Sequence, residues 1–358
     1  MGIFSKAFNP VSDLPDLSDK VVLITGGNAG IGYATVKHLA RHGAKVYMAA
    51  RNQSKAEEAI AQLKEEGLGP GNGEVIWLEL DLKDPRNAKK AAEEFMKKEK
   101  RLDVLIHNAA MYAAHLEPIA DVFDAEMTLQ ISRQFRDGIR WYVLVLSRKA
   151  PHLHETAGVQ EIMMVNVISH MVLTRSLQPL LDQTAAEPNS DVRIVVVASD
   201  GHRLVSGEPR YRNLDDFNAE FKNTLSPSFA RYCMSKLANI LYASELQRHL
   251  TAAGSPITVI TVHPGAVNTF SDRQSLSRFI KFLIMPIVYL FFEHPDKGAY
   301  TSAFAAASEE VAKQRDKYKG TYLVPVGKMA EPTNMARDEV LAKELWDSVE
   351  KFLLEKGL

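Results

Sequence analysis

The stretch KVVLITGGNAGIG, residues 20–32, decides the fold. Val21 to Ile24 is an unbroken run of β-branched and leucine side chains, the pattern of a strand buried on both faces. A glycine-rich turn follows. Ile31, Ala34, Val36, Leu39 and Ala40 then recur at helical spacing, which predicts a helix over Ile31 to His42 that stops at Gly43. Strand, glycine turn and helix in that order make a phosphate cradle. Glycines let the backbone approach a pyrophosphate, and the helix N-terminus presents free N–H groups and a positive dipole end. A turn that merely needs glycine is the plain alternative, but the strand before and the helix after supply the context that the cradle requires.

Working outward, Ala44 to Ala49 reads as a second parallel strand. In this architecture the residue at its end meets the adenosine ribose: an acid accepts a 2′-hydroxyl, whereas a cation accommodates a 2′-phosphate. Here stand Ala50 and then Arg51, with no acid, so the expected cofactor is NADP, with a solvated loop arginine as the alternative reading. Ser54 is expected to cap a helix to about Glu66, and Glu74 to Leu80 a third strand leading to Asp81, which competes as the N-cap of the next helix, Pro85 to Lys100. A fourth strand, Leu102 to Ile106, runs into His107-Asn108-Ala109-Ala110. Further on, Asp191 to Ala198 is an almost wholly β-branched strand ending at Ser199, Ser228 to Leu250 a helix, and Ile257 to Val262 a strand. A helix over Asp296 to Ala307, a short strand near Thr321 to Val324 and an amphipathic C-terminal helix complete the pattern. Strands alternating with helices of this length imply an α/β fold with a doubly wound, mostly parallel sheet flanked by helices on both faces, in a single domain. Residues 1–19 read as a leader, 20–330 as the domain, and 331–358 as a helix packed on it.

Composition excludes several classes. In 358 residues, 46% are hydrophobic and 24% charged, ordinary for a globular chain, and a net charge of −1 gives nucleic acid no purchase. One cysteine, Cys233, rules out an internal disulfide or cysteine-rich metal site and fits a reducing compartment; beside Tyr232 it reads as a small core residue. No secretory h-region opens the chain, so the expected location is cytoplasmic, with peripheral contact to an intracellular membrane as an option. His202, His263 and His294 lack metal-ligand spacing, no metal is expected, and Trp77 reads as sheet packing.

The chemistry rests on Tyr232 and Lys236, which at i and i+4 leave one face of a helix. A phenol with pKa near about 10 carries protons poorly at neutral pH. A neighbouring ammonium stabilises phenolate and brings the group toward the range that general acid–base catalysis needs. Ser199, at the carboxyl end of a strand, stands where open α/β sheets bind ligands.

The set Thr25-Gly26-x-x-x-Gly30-x-Gly32, Asn108, Asn166, Ser199, Tyr232, Lys236 and Pro264-Gly265, in this order over most of the chain, resembles the short-chain dehydrogenase/reductases, whose turn reads TGxxxGxG. Ser199-Asp-Gly-His202, Tyr232-Cys-Met-Ser-Lys-Leu-Ala-Asn239 and His263-Pro-Gly265 resemble the retinol-dehydrogenase-like branch, while His107 and Ala110 depart from the usual Asn-Asn-Ala-Gly. The resemblance implies a Rossmann fold. It implies that Tyr232 is the general acid/base, that Ser199 holds the substrate oxygen, that Lys236 grips the nicotinamide ribose, and that Asn166 holds a relaying water. It implies cofactor contacts from Thr25, Gly26, Asn28, Gly30, Ile31, Gly32, Arg51, Asp81, Asn108, Ala109, Tyr232, Lys236, Pro264, Gly265, Val267 and Thr269. Asp81 would meet the adenine amino group.

Two segments stand apart. Asn108 and Asn166 lie about 60 residues apart, although a crossover between parallel strands needs only about a dozen or more. The surplus falls at about 120–154 and reads as a helical insertion or as extra coding sequence such as an unspliced intron. Looping out flexible chain costs only about 0.6 kcal/mol per doubling of length, but an apolar run such as Trp141 to Leu146 invites aggregation. Deleting about Asp121 to His152 is therefore expected to preserve or improve solubility and NADPH-dependent activity. Loss of folding in that variant would show the insert to be needed. Phe279 to Phe292 (FIKFLIMPIVYLFF), within 270–293, is the most apolar stretch and lies where the family places its substrate lid. It is too short to span a bilayer, for which about 20 residues are needed, but long enough to lie in an interface.

The function expected is thus an NADP(H)-dependent oxidoreductase interconverting an alcohol and its aldehyde or ketone on an apolar small molecule. A retinoid, steroid, terpenoid or polyketide intermediate would suit it, with secondary metabolism as the setting. The competing reading is a nucleotide-binding protein with impaired turnover, its insertion displacing Asn166 and the lid. An epimerase is disfavoured, since that group carries TGxxGxxG. A homodimer is left open.

Overall fold

The computed structural model describes residues 7–112, 155–156, 158–224, 226–265 and 294–358. The insertion at 120–154, the apolar stretch 279–292, Val267 and Thr269 lie outside them. Eight strands form one sheet: β1 (Val21–Thr25), β2 (Lys45–Ala50), β3 (Val75–Glu79), β4 (Val104–His107), β5 (Arg193–Val197), β6 (Thr258–Val262), β7 (Tyr322–Val324) and β8 (Lys328–Ala330). Their order is β8-β7-β6-β5-β4-β1-β2-β3. Every pairing is parallel except β8 on β7, an antiparallel hairpin that the sequence reading lacked.

Side chains leave alternate faces of the strands and sort into two cores. Val22, Ile24, Val104, Ile106, Val195 and Val197 join one core, capped by α1 (Gly30–Arg41), α2 (Gln53–Glu66) and α6 (Pro295–Ala307). Val21, Leu23, Leu105, Ile194 and Val196 join the other, capped by α3 (Pro85–Lys98), α4 (Ser169–Ala185), α5 (Pro227–Ala252) and α7 (Glu339–Glu355). This two-sided burial is why the strands read as continuous apolar runs rather than alternating ones. Four fully buried strand residues, Leu23, Ile24, Leu105 and Ile106, sit at the sheet centre. The topology reverses between β1 and β4, so the turns after these strands open at one edge of the sheet, where a ligand can lie across both.

The local expectations hold with three corrections. Asn52, not Ser54, caps α2, its side chain accepting from Lys55 N at 2.9 Å. Asp84, not Asp81, caps α3, accepting from Arg86 N at 2.9 Å; Asp81 instead closes a turn onto Lys83 N at 3.0 Å. Asn and Asp one residue before a helix outcompete later acceptors because only there does the side chain reach the free N–H groups. In the leader, Leu14 and Leu17 are buried against the α1 side of the sheet, and Leu17 N donates to His42 O at 2.7 Å. The segment expected as a leader is thus tied into the core.

Candidate active site

The phosphate turn is set by backbone geometry. Gly26 and Gly30 have φ of +65° and +56°, values that L side chains rarely adopt. A Cβ on Gly32 would lie 2.2 Å from the Gly26 carbonyl oxygen and 2.5 Å from Asn108 Nδ2, so only glycine lets α1 start against the turn. Ala29 precedes α1 without a side-chain cap, which leaves the helix's first N–H groups for an anion. Asn28 and Ile31 are half-buried on either side of this opening. Gly26 N donates to Ala49 O at 2.8 Å, which fixes the turn to the end of β2. Arg51 is exposed just beyond that end, and Trp77 Nε1 donates to Ala50 O at 3.0 Å, holding the carbonyl that precedes it. These features fit a dinucleotide: a glycine cradle, an uncapped helix terminus and a cation just beyond the end of β2.

Thr25 and Asn108 lock β1 to the loop after β4. Thr25 Oγ1 accepts from Asn108 N at 3.0 Å and Ala109 N at 2.9 Å. Asn108 Nδ2 donates to Thr25 O at 2.9 Å and to Gly26 O at 3.2 Å. The side chain of Asn108 thus supports the turn from beneath.

The residues expected to carry the chemistry converge on the same edge. Lys236, on α5, is buried, and its Nζ donates to Val197 O, the last carbonyl of β5, at 2.7 Å. Burial pushes its ammonium down from an ordinary 10.5 to about 7. Nζ stands 5.7 Å from the Tyr232 ring centroid. Ser199 caps a 3-10 turn over Asp200–Leu204, accepting from Gly201 N at 3.0 Å. A Cβ placed on Gly201 would be 3.4 Å from both Ser199 Oγ and Cys233 Sγ and 3.7 Å from Tyr232 Cε1, so Ser199 and Tyr232 both lie against Gly201. Cys233 is buried and its thiol is pushed up to about 12 by burial, which makes it a core residue and not a nucleophile.

Asn166 sits in a π-helical turn, Met164–Ile168, that precedes α4. Such turns reorient one side chain within an otherwise regular helix. Its Oδ1 accepts from Met111 N at 2.6 Å, and its Nδ2 donates to Met111 O at 3.1 Å and to Ser235 Oγ at 2.9 Å. Ser235 Oγ in turn donates to Tyr232 O at 2.7 Å. The side chain of Asn166 is therefore spent on clamping the loop after β4 to α5, and not left for the water expected from the sequence.

Of the residues singled out in the sequence, the turn glycines, Thr25, Asn108, Ala109, Asn166, Ser199, Tyr232 and Lys236 are brought together at this edge. Pro264 and Gly265 follow His263 after the end of β6; Gly265 has φ of +91° and its missing Cβ leaves room for Pro325. Asp81 is half-buried at the end of β3. Three groups escaped the sequence reading. Ser235 stood inside the Tyr232–Lys236 motif at the i+3 position. His170 stood at i+4 from Asn166. Asp200 accepts from Tyr322 OH at 2.9 Å and faces His263 Nε2 at 3.5 Å, tying the ends of β5, β6 and β7. His263 and Arg203 hold the Asp200 carboxyl below its usual range despite its burial. His202 lies fully buried with Nδ1 2.8 Å from Ser199 O. No sequence spacing announces these tertiary ties.

Comparison with known proteins agrees. A sequence profile described as short chain dehydrogenase matches residues 20–135. A short-chain dehydrogenase/reductase of Armillaria gallica is 41% identical over 335 residues, spanning 93% of this chain and 92% of its own. Human retinol dehydrogenase 14 is 34% identical over 339 residues, spanning 92% of this chain and 84% of its own. A solved structure from Mycobacterium paratuberculosis shares 28% identity and a TM-score of 0.61 over 97% of both chains. A short chain dehydrogenase from Burkholderia cenocepacia in complex with NADP shares the fold, with a TM-score of 0.54 at 22% identity over 86% of this chain and 97% of its own. The chain belongs to the short-chain dehydrogenase/reductase family, oxidoreductases that use a nicotinamide cofactor on small-molecule alcohols or carbonyls. Within the family it falls in the retinol-dehydrogenase-like branch.

Proposed function

We propose that the protein is an NADP(H)-dependent oxidoreductase that interconverts an alcohol and its aldehyde or ketone on an apolar small molecule, with Tyr232 as general acid/base. The observation that carries this is the buried Lys236 ammonium beside the Tyr232 ring, with Ser199 Oγ and the edge of that ring both lying against Gly201. When bound, the nicotinamide supplies or accepts the hydride. Ser199 holds the substrate oxygen by a hydrogen bond, and Tyr232 passes its phenolic proton to that oxygen in reduction or takes it in oxidation. Lys236, desolvated and held by Val197 O, sets its charge beside the phenol that exchanges the proton. Asn166 keeps Tyr232 in place through Ser235 and holds the Met111 backbone at the substrate side.

An apolar substrate is supported by the rings around Tyr232. Tyr112 meets it edge-on at 5.3 Å between centroids, and Phe229 stacks at 6.3 Å. The name of the human relative, a retinol dehydrogenase, points the same way. Asn166 lying against Ser235 and Met111 favours turnover over the reading in which the insertion displaces it. Purified protein with NADPH and a panel of apolar aldehydes and ketones tests the reading, and absence of turnover across the panel would remove it. Among the described residues, no helix is long and apolar enough to cross a membrane.

The preference for NADP rests on Arg51 and the missing acid at Ala50. Arg51→Ala is expected to weaken NADPH far more than NADH, since a guanidinium–phosphate hydrogen bond is about twice as strong as a neutral one. Titration of both cofactors against both proteins checks this; equal affinities in the parent would sink it.

A further inference from the structure

Two imidazoles lie buried directly beneath the site. His107 and His170 meet edge to face at 4.6 Å between ring centroids. His107 Nε2 pairs with Thr174 Oγ1 at 2.8 Å, which anchors that ring to α4. His170 reaches in two directions. Its Nε2 lies 2.8 Å from Thr25 Oγ1, and its Nδ1 lies 3.3 Å from the carbonyl oxygen of Asn166. A carbonyl only accepts, so Nδ1 carries the proton and Nε2 is the bare acceptor of the neutral ring. The Thr25 hydroxyl then donates to Nε2 at 2.8 Å in preference to the Ile106 carbonyl oxygen at 3.4 Å, which leaves its oxygen to accept from Asn108 N and Ala109 N. Burial pushes His170 down to about 3, so this tautomer is uncharged throughout the neutral range.

We infer that His170 is a positioning residue for the reaction: its imidazole couples the Thr25 hydroxyl, which holds the Asn108–Ala109 backbone at the cofactor, to the Asn166 carbonyl in the π-helical turn that holds Met111 and Ser235. The inference rests on the function proposed above. One ring thereby links the cofactor side of the site to the catalytic helix through bonds of defined donor direction. The ring at residue 107 shields it from water and fixes its plane.

The two nitrogens can be tested separately, because an asparagine amide reproduces the δ position and a glutamine amide the ε position. His170→Gln keeps a partner for Thr25 and loses the one for Asn166. His170→Asn does the reverse, and His170→Phe keeps the ring packing and loses both. Residue-resolved amide exchange in the cofactor-free protein reads each half: Asn108 and Ala109 report on Thr25, and Met111 on Asn166. Losing a buried hydrogen bond corresponds to about a tenfold change. In His170→Gln, exchange at Met111 is expected to quicken about tenfold, with NADPH affinity at the parent level and kcat lowered. In His170→Asn, Asn108 and Ala109 quicken instead, and NADPH affinity falls with kcat largely kept. His170→Phe shows both losses. Parent-like exchange in all three variants would overturn the coupling, as would equal loosening of both sites in His170→Gln and His170→Asn, which marks a merely structural ring. If His170→Phe does not fold, the Gln and Asn pair decides alone. Because exchange is measured without cofactor, a parent that fails to bind NADPH refutes the proposed function and leaves this test standing.

Discussion

Tyr232→Phe is expected to lose about 10² to 10⁴ in turnover while binding NADPH as the parent does. The substitution removes one oxygen. The ring contacts to Tyr112 and Phe229 remain, as does the backbone carbonyl of residue 232 that Ser235 Oγ engages. The apolar face of α5 stays packed in the core, so lost rate with intact folding isolates proton transfer. Steady-state rates with NADPH and an apolar carbonyl, beside a fluorescence titration of the cofactor, separate the two effects. Parent-like turnover in this variant would mean that the proton comes from elsewhere.

Lys236→Met should damage more. The methionine fills most of the same buried volume but gives up the bond to Val197 O and the charge beside Tyr232. Both turnover and cofactor affinity are expected to fall, the former by the same order of about 10² or more. The same variant carries a second signature, in stability. Lys236 is driven from an ordinary 10.5 in the unfolded chain to about 7 in the folded one. Between these values the unfolded state binds a proton that the folded state does not, so stability rises with pH across this window. The contribution is complete above about 10.5 and is lost as pH falls to about 7. Urea unfolding of the cofactor-free protein from pH 7 to pH 10 should show the parent gaining on Lys236→Met as pH rises. A difference between the two that stays flat over this range would show that the lysine is not desolvated as described.

How much of this was legible beforehand follows the range of the interactions. Residues 20–32 settle the central strand, the glycine turn and the first helix because these are set by neighbours in the chain: buried β-branched side chains, positive φ at Gly26 and Gly30, and an uncapped helix start. Tyr232 and Lys236 were readable for the same reason, since one helical turn places both on one face. The ends of elements were less so. Asn52 and Asp84 took the caps expected of Ser54 and Asp81, a choice that depends on where each helix breaks, and packing decides that.

The sequence by itself thus determined the fold class, the phosphate cradle and the chemical types at the site, because each is written in residues a few positions apart. Tertiary structure alone decided what those residues bond to. Asn166 clamps Met111 and Ser235, His170 reaches Thr25, and Asp200 gathers Tyr322 and His263, across separations that no periodicity encodes. The reason is physical. A buried polar group must find a partner wherever folding brings one, and the identity of that partner is fixed by the packing of the sheet and not by the chain order.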